Sequence, residues 1–102
     1  MIALIKNKNI VLTGANSGIG MEVLKLFLQG GNRVLCVDKN IDRLEKMNDE
    51  GIMILKKDVS SAQAVDEIFD VAIEKLGSID IFYANAGYPY YEGNELRRLG
   101  QS

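Results

Sequence analysis

The chain contains no histidine. An imidazole base and a histidine metal ligand are both excluded. Its one cysteine, Cys36, can form neither an internal disulfide nor a thiolate zinc cluster. Set in VLCVD, it reads as a packed strand residue rather than a reactive thiol. No apolar run approaches the ~18 residues of a membrane span, and MIALIKNKN at the start lacks the apolar core of a signal peptide. The net charge of −2 supplies no basic field for nucleic acid or anionic lipid. A cytoplasmic protein with no nucleic-acid and no membrane partner is expected. The 102 residues allow one hydrophobic core, and 47% apolar with 25% charged residues is the balance of an ordinary globular protein.

Apolar periodicity supplies the elements. NIVLT, residues 9–13, is a short apolar run broken by Gly14 and reads as a buried strand. From Gly18 to Gln29, Ile19, Val23 and Phe27 recur four apart with Leu24 and Leu28 alongside, a helix stopped by Gly30-Gly31. RVLCV, residues 33–37, is a second strand ending at Asp38. A short helix capped by Asn40 follows, with Ile41, Leu44 and Met47 on one face and Gly51 ending it. IMILK, residues 52–56, is the third strand. Ser60 and Gln63 have capping-box spacing before a helix whose inner face is Val65, Ile68, Phe69, Ala72 and Leu76. IDIFYA, residues 79–84, is the fourth strand.

This βαβαβαβ order, with strands too apolar to leave a face in water, predicts an α/β fold: a doubly wound, Rossmann-like parallel sheet. Right-handed crossovers put the first two helices on one face and the third on the other, giving four strands in the order 3-2-1-4 with three helices. Residues 1–91 form the expected half-domain. Residues 92–102 read as an irregular tail, with one turn of helix at Glu95 to Leu99.

TGANSGIG, residues 13–20, carries the chemistry. A glycine turn between a first strand and a first helix brings unpaired N–H groups to a helix N-terminus, which attracts anions. Gly14 permits the sharp exit from the strand, Gly18 lets backbone approach a phosphate, and Gly20 lets the helix pack on the sheet. A P-loop is excluded, because no lysine follows the last glycine. Asp38 ends the second strand 18 residues beyond Gly20. A carboxylate there can accept both hydroxyls of an adenine ribose and repel a 2′-phosphate; a capping or solvated aspartate is the plain alternative. Lys39 beside it would soften that rejection.

TGANSGIG, then Asp38, KKDVS at 56–60 and YANAG at 83–87, together resemble the short-chain dehydrogenase/reductase family over residues 7 to 91. The resemblance implies an NAD(P)-dependent oxidoreductase transferring hydride between the cofactor and an alcohol or carbonyl. It implies a dinucleotide site at Gly14, Asn16, Ser17, Gly18, Ile19, Gly20, Asp38 and Lys39, with Asp58 and Val59 flanking the adenine. Asn85, Ala86 and Gly87 would end the fourth strand under the cofactor. NAD is expected over NADP, since Asp38 faces the ribose and Ser17 places no positive charge in the turn. No metal site is expected.

The family's catalysis uses a serine and a Tyr-x-x-x-Lys pair, in which the lysine lowers the pKa of a tyrosine that would otherwise ionise near pH 10. Here the tyrosines are Tyr83, Tyr88, Tyr90 and Tyr91, while the last lysine is Lys75 and the only serine after Ser78 is Ser102. No catalytic residue is identified. The expectation is a truncated family member, inactive by itself. The alternatives are an NAD-responsive binding module and one chain of a split enzyme. Strand four, left as an edge, is expected to make the protein a homo-oligomer through residues 79–84.

Overall fold

The structure, a computed structural model, describes residues 5–85. The expected tail, the turn at Glu95 to Leu99, Ala86, Gly87 and the tyrosines after Tyr83 lie outside the described residues. The elements are β1 (Asn9–Thr13), α1 (Gly18–Gln29), β2 (Arg33–Asp38), α2 (Asp42–Glu45), β3 (Ile52–Lys56), α3 (Ala62–Leu76) and β4 (Ile81–Ala84). All strand pairs are parallel and the sheet order is β3-β2-β1-β4. The expected topology is the observed one.

Alternation along the strands builds two cores, one on each face of the sheet. Ile10, Leu12, Val34 and Cys36 point to α1 and α2, where Val23, Leu24, Phe27 and Leu44 meet them. Val11, Leu35 and Val37 point the other way, onto Ile68, Ala72 and Leu76 of α3. The central strands are thus buried on both faces, which is why they carry no polar alternation.

The fourth strand begins at Ile81 rather than Ile79, and Asp80 instead exchanges hydrogen bonds with Asn9. Four further details differ from the sequence reading. Ile19 is 72% exposed, and Met21, nearly buried, joins the core. The inward face of α1 runs through Gly20, Val23, Leu24 and Phe27, so Ile19 falls outside it at the first turn. Phe69 is 37% exposed and stacks on Phe82 at a centroid distance of 4.9 Å, near the β4 edge rather than in the core centre. The cap of α3 is Ser61, not Ser60: the Ser61 hydroxyl accepts from the Ala64 N–H at 3.1 Å. Ser60 instead donates its N–H to Asp58 Oδ1 at 3.0 Å, which leaves the next residue to begin the helix. Finally, α2 is a single turn that ends at Lys46, well before Gly51, and Asn40 does not cap it.

Remote polar groups close the helix ends. Arg33 donates to the carbonyls of Lys75 and Leu76 at the C-terminus of α3, and Asn9 Nδ2 donates to Leu76 as well. Asn32 is 2% exposed. Its Oδ1 accepts from the Lys8 N–H at 2.8 Å, and its Nδ2 donates to the carbonyls of Ile5 and Phe27 at 2.9 and 2.7 Å. A buried amide with every group paired ties the chain entering β1 to the end of α1.

Cys36 is fully buried, and burial pushes its thiol from 9.0 up to about 12. Between those values the folded chain retains a proton that the unfolded chain releases, so stability falls as pH rises through that window. Native protein is expected to resist a thiol reagent at pH 8 and to react stoichiometrically once unfolded in denaturant. Prompt labelling of the native chain would contradict the packed position of Cys36.

Candidate functional site

The turn between β1 and α1 is held by its own backbone. Gly14 leaves the strand at φ 67°, a left-handed conformation that favours glycine. Its N–H donates to the Val37 carbonyl at 2.8 Å, which pins the turn to β2. Ser17 caps α1: its hydroxyl accepts from the Gly20 N–H at 3.1 Å and donates to the Gly14 carbonyl at 2.8 Å. The N–H groups of Gly18 and Ile19, at the first helical positions, have no acceptor within the helix.

The three glycines do different work. A Cβ on Gly20 would run into the Gly14 carbonyl and come within 2.9 Å of Asn85 Nδ2, so the helix start packs directly on the turn. A Cβ on Gly18 would meet nothing within 4 Å. Open space there is what a ligand approaching the backbone requires.

Asn85 follows β4 and reaches the same turn. Its N–H donates to Thr13 Oγ1 at 3.2 Å, and its Nδ2 donates to the Gly14 carbonyl and to Ser17 Oγ, both at 3.4 Å. The side chain braces the turn against the end of the sheet.

Asp38 stands at the end of β2, in register with Lys56 of β3. Its Oδ2 accepts from the Asn16 N–H at 3.0 Å and its Oδ1 from the Asn40 N–H at 3.2 Å. Each carboxylate oxygen has a second lone pair, so two acceptor positions remain. The Asn16 side chain turns away from the glycine turn: its Oδ1 accepts from the N–H groups of Arg43 and Leu44, and its Nδ2 donates to Asp42 Oδ1. It supplies the cap that α2 lacks.

Between the turn and α2 lies a cleft of about 650 Å³ lined by Asn16, Ser17, Gly18, Asp38, Asn40, Ile41, Asp42, Arg43, Glu45 and Lys56. It opens at the carboxyl ends of β1, β2 and β3, where ligands of open α/β sheets bind. Lys39 is exposed and does not line the cleft; Arg43 and Lys56 are the cations that do. The Asn16 hydrogen bond holds the Asp42 carboxyl below the usual carboxylate range.

The remaining expected positions divide. Val59 is 4% exposed and packs against Val11, Leu35 and Val37, while Asp58 beside it is exposed at the mouth of the sheet. Sequence reasoning gave no sign of Arg43 or Lys56, because their place in the cleft depends on where α2 and β3 come to lie. Among the described residues no group of three or more His, Cys, Asp or Glu side chains could hold a metal, and no helix is long and apolar enough to cross a membrane.

A parallel doubly wound sheet with a glycine turn opening its first helix, and an acidic residue closing its second strand, defines a Rossmann-like protein. The family model for short chain dehydrogenases matches residues 8–99, and the chain belongs to that family. An oxidoreductase of Staphylococcus saprophyticus is 34% identical over 87 residues, which cover 81% of this chain and 35% of that protein. The dehydrogenase/reductase SDR family protein 7-like of Dictyostelium discoideum is 36% identical over 93 residues, 80% of this chain and 29% of that one. Two solved structures agree. A short-chain glucose/ribitol dehydrogenase from Brucella melitensis superposes with a TM-score of 0.68 at 32% identity, covering 76% of this chain and 35% of that one. A 4-hydroxyisoleucine dehydrogenase complexed with NADH gives 0.64 at 32% identity, over 74% of this chain and 32% of that chain. The chain thus spans 35% and 29% of the length of the two curated relatives.

Proposed function

We propose that this chain binds NAD(H) through the glycine turn and Asp38, as the adenosine half of a hydride-transfer site. The observation that carries this reading is the pairing of open space at Gly18 with a carboxylate, fixed by two backbone N–H groups, across the same cleft. The free N–H groups at the start of α1 suit a pyrophosphate, and the two remaining acceptor positions of Asp38 suit a ribose diol. Ile19, exposed on the first turn of α1, is placed to cover an apolar part of the ligand. The family's NAD(P) chemistry and the NADH held by one structural relative support the assignment. A bound nicotinamide would supply the hydride acceptor; the described residues bind and orient.

NAD is preferred over NADP in this reading, because a 2′-phosphate would meet the Asp38 carboxylate. Arg43 and Lys56 on the cleft wall oppose that preference. The substitution Asp38→Ala removes a charge-assisted hydrogen bond worth about 1.5–3 kcal/mol. It is expected to shrink the NADH-over-NADPH affinity ratio by about ten- to a hundredfold. Asp38→Asn, which keeps an acceptor for the Asn16 N–H, isolates the charge from the scaffold. Isothermal titration with both nucleotides measures the ratio, and an unchanged ratio in both variants would rule out Asp38 as the selector.

Self-association belongs to the same reading. Among the described residues β4 pairs only with β1, and Tyr83 on that strand and Ile73 on α3 are 37% and 51% exposed. An open strand edge beside apolar surface recruits other chains. Ile81 and Tyr83 both face α1, Tyr83 edge-on to Phe27, but Tyr83 is the more exposed of the two, so Tyr83→Lys is the probe of the edge that disturbs the core less. Light scattering at micromolar concentration should give a dimer or larger for the wild type and a smaller mass for the variant. A monomeric wild type would refute the association.

A further inference from the structure

The two walls of the cleft come from separate parts of the chain, and Asn16 is the residue that joins them. Its N–H holds Asp38 Oδ2 at 3.0 Å. Its Oδ1 accepts from the N–H groups of Arg43 at 2.9 Å and Leu44 at 3.1 Å, and its Nδ2 donates to Asp42 Oδ1 at 2.8 Å. These bonds span 22 to 28 residues of sequence.

The partner helix cannot hold this place alone. α2 has four residues, its N-cap is Ile41, and no side chain of its own caps it. One turn of helix is unstable without outside contacts. Leu44, fully buried, anchors α2 to the core. Asn16 holds the N–H groups of Arg43 and Leu44, and Arg43 lines the cleft wall.

We propose that Asn16 is a positioning residue for the ribose end of the cleft. Its side chain acts through α2, holding Arg43 in a fixed place relative to the Asp38 carboxylate that its backbone N–H anchors, so that discrimination at the ribose 2′ position depends on it. This inference rests on the dinucleotide reading. Loosening α2 would free Arg43 to meet a 2′-phosphate, while the Asn16 N–H, a backbone donor that the substitution keeps, still holds Asp38.

The test uses the full chain with NADH and NADPH as probes. Asn16→Ala is expected to raise the NADH dissociation constant about tenfold and to bring the two affinities toward equality. The double substitution Asn16→Asp with Asp42→Asn exchanges donor and acceptor while keeping the acceptor for Arg43 and Leu44 and the net charge. It should restore NADH affinity to within about threefold of wild type. Two readouts are independent of nucleotide. The amides of Arg43 and Leu44 should exchange faster with solvent in Asn16→Ala and recover in the double variant. The Asp42 carboxyl, held low first by its hydrogen bond from Asn16, should titrate at higher pH in Asn16→Ala by carbon-detected NMR. If Asn16→Ala lowers the folded fraction, the double variant decides: restored amide protection without restored selectivity overturns the proposal. Wild-type affinities for both nucleotides in Asn16→Ala, with Asp38→Ala still losing selectivity, overturn this proposal alone. A wild-type chain that binds neither nucleotide overturns the dinucleotide reading with it.

Discussion

Gly20→Ala is expected to lower stability by about 3 kcal/mol or more, a large share of the roughly 5–15 kcal/mol that holds a small domain folded. The new methyl would strike the Gly14 carbonyl oxygen and sit 2.8 Å from its carbon. Backbone meets backbone there, so no rotamer change relieves the overlap. The turn, already at φ 67° and bonded to Val37, has little room to shift. Gly18→Ala provides the control. Its methyl meets nothing within 4 Å, and stability should stay within about 0.5 kcal/mol of wild type. That same methyl would stand on the cleft wall, so nucleotide binding should weaken. Urea unfolding of both variants separates the roles. A Gly20→Ala midpoint equal to wild type would mean that α1 does not pack on the turn as described.

The second large effect is expected in a turnover assay. The chain has no Tyr-x-x-x-Lys pair, and its last lysine, Lys75, precedes every tyrosine. Tyr83, the one tyrosine among the described residues, places its ring edge-on to Phe27 at 5.8 Å. The family's chemistry depends on a lysine placed beside its tyrosine, and no lysine follows any tyrosine in this sequence. We expect no NADH formation above the blank when the purified chain is mixed with NAD and a panel of alcohols. Reproducible turnover that vanishes in Gly18→Trp would contradict this and would require a base not yet identified.

The framework of the fold was legible because it rests on local signals. Runs such as NIVLT and RVLCV are apolar on both faces, and the fourfold spacing of Val23 and Phe27 marks a helix; together they fixed the βαβ order and hence the strand order. The roles of Gly14 and Gly20 followed from the strand–turn–helix context. Asn16, Asn32 and Arg33 were not legible as braces. Each pairs with groups far away in sequence, Asn16 with α2 and Arg33 with the end of α3, and no spacing rule encodes such distances. The extent of α2 was not legible for the same reason: its cap comes from Asn16 in another segment, and the Asn40 that local spacing offers does not cap it. Ser60 and Ser61 are adjacent and both able to cap, and the choice between them turned on the Asp58 carboxylate.

A dinucleotide in the cleft between the glycine turn and Asp38 would sit against backbone amides on both walls. Amide chemical-shift mapping tests this placement most directly, by adding NADH to ¹⁵N-labelled full chain and following every backbone resonance. Saturable shifts are expected, concentrated at Gly14 to Gly20 and at Asp38 to Arg43, with smaller shifts at Lys56 to Val59. Shifts confined to other surfaces, or none at saturating NADH in a folded chain, would contradict that placement.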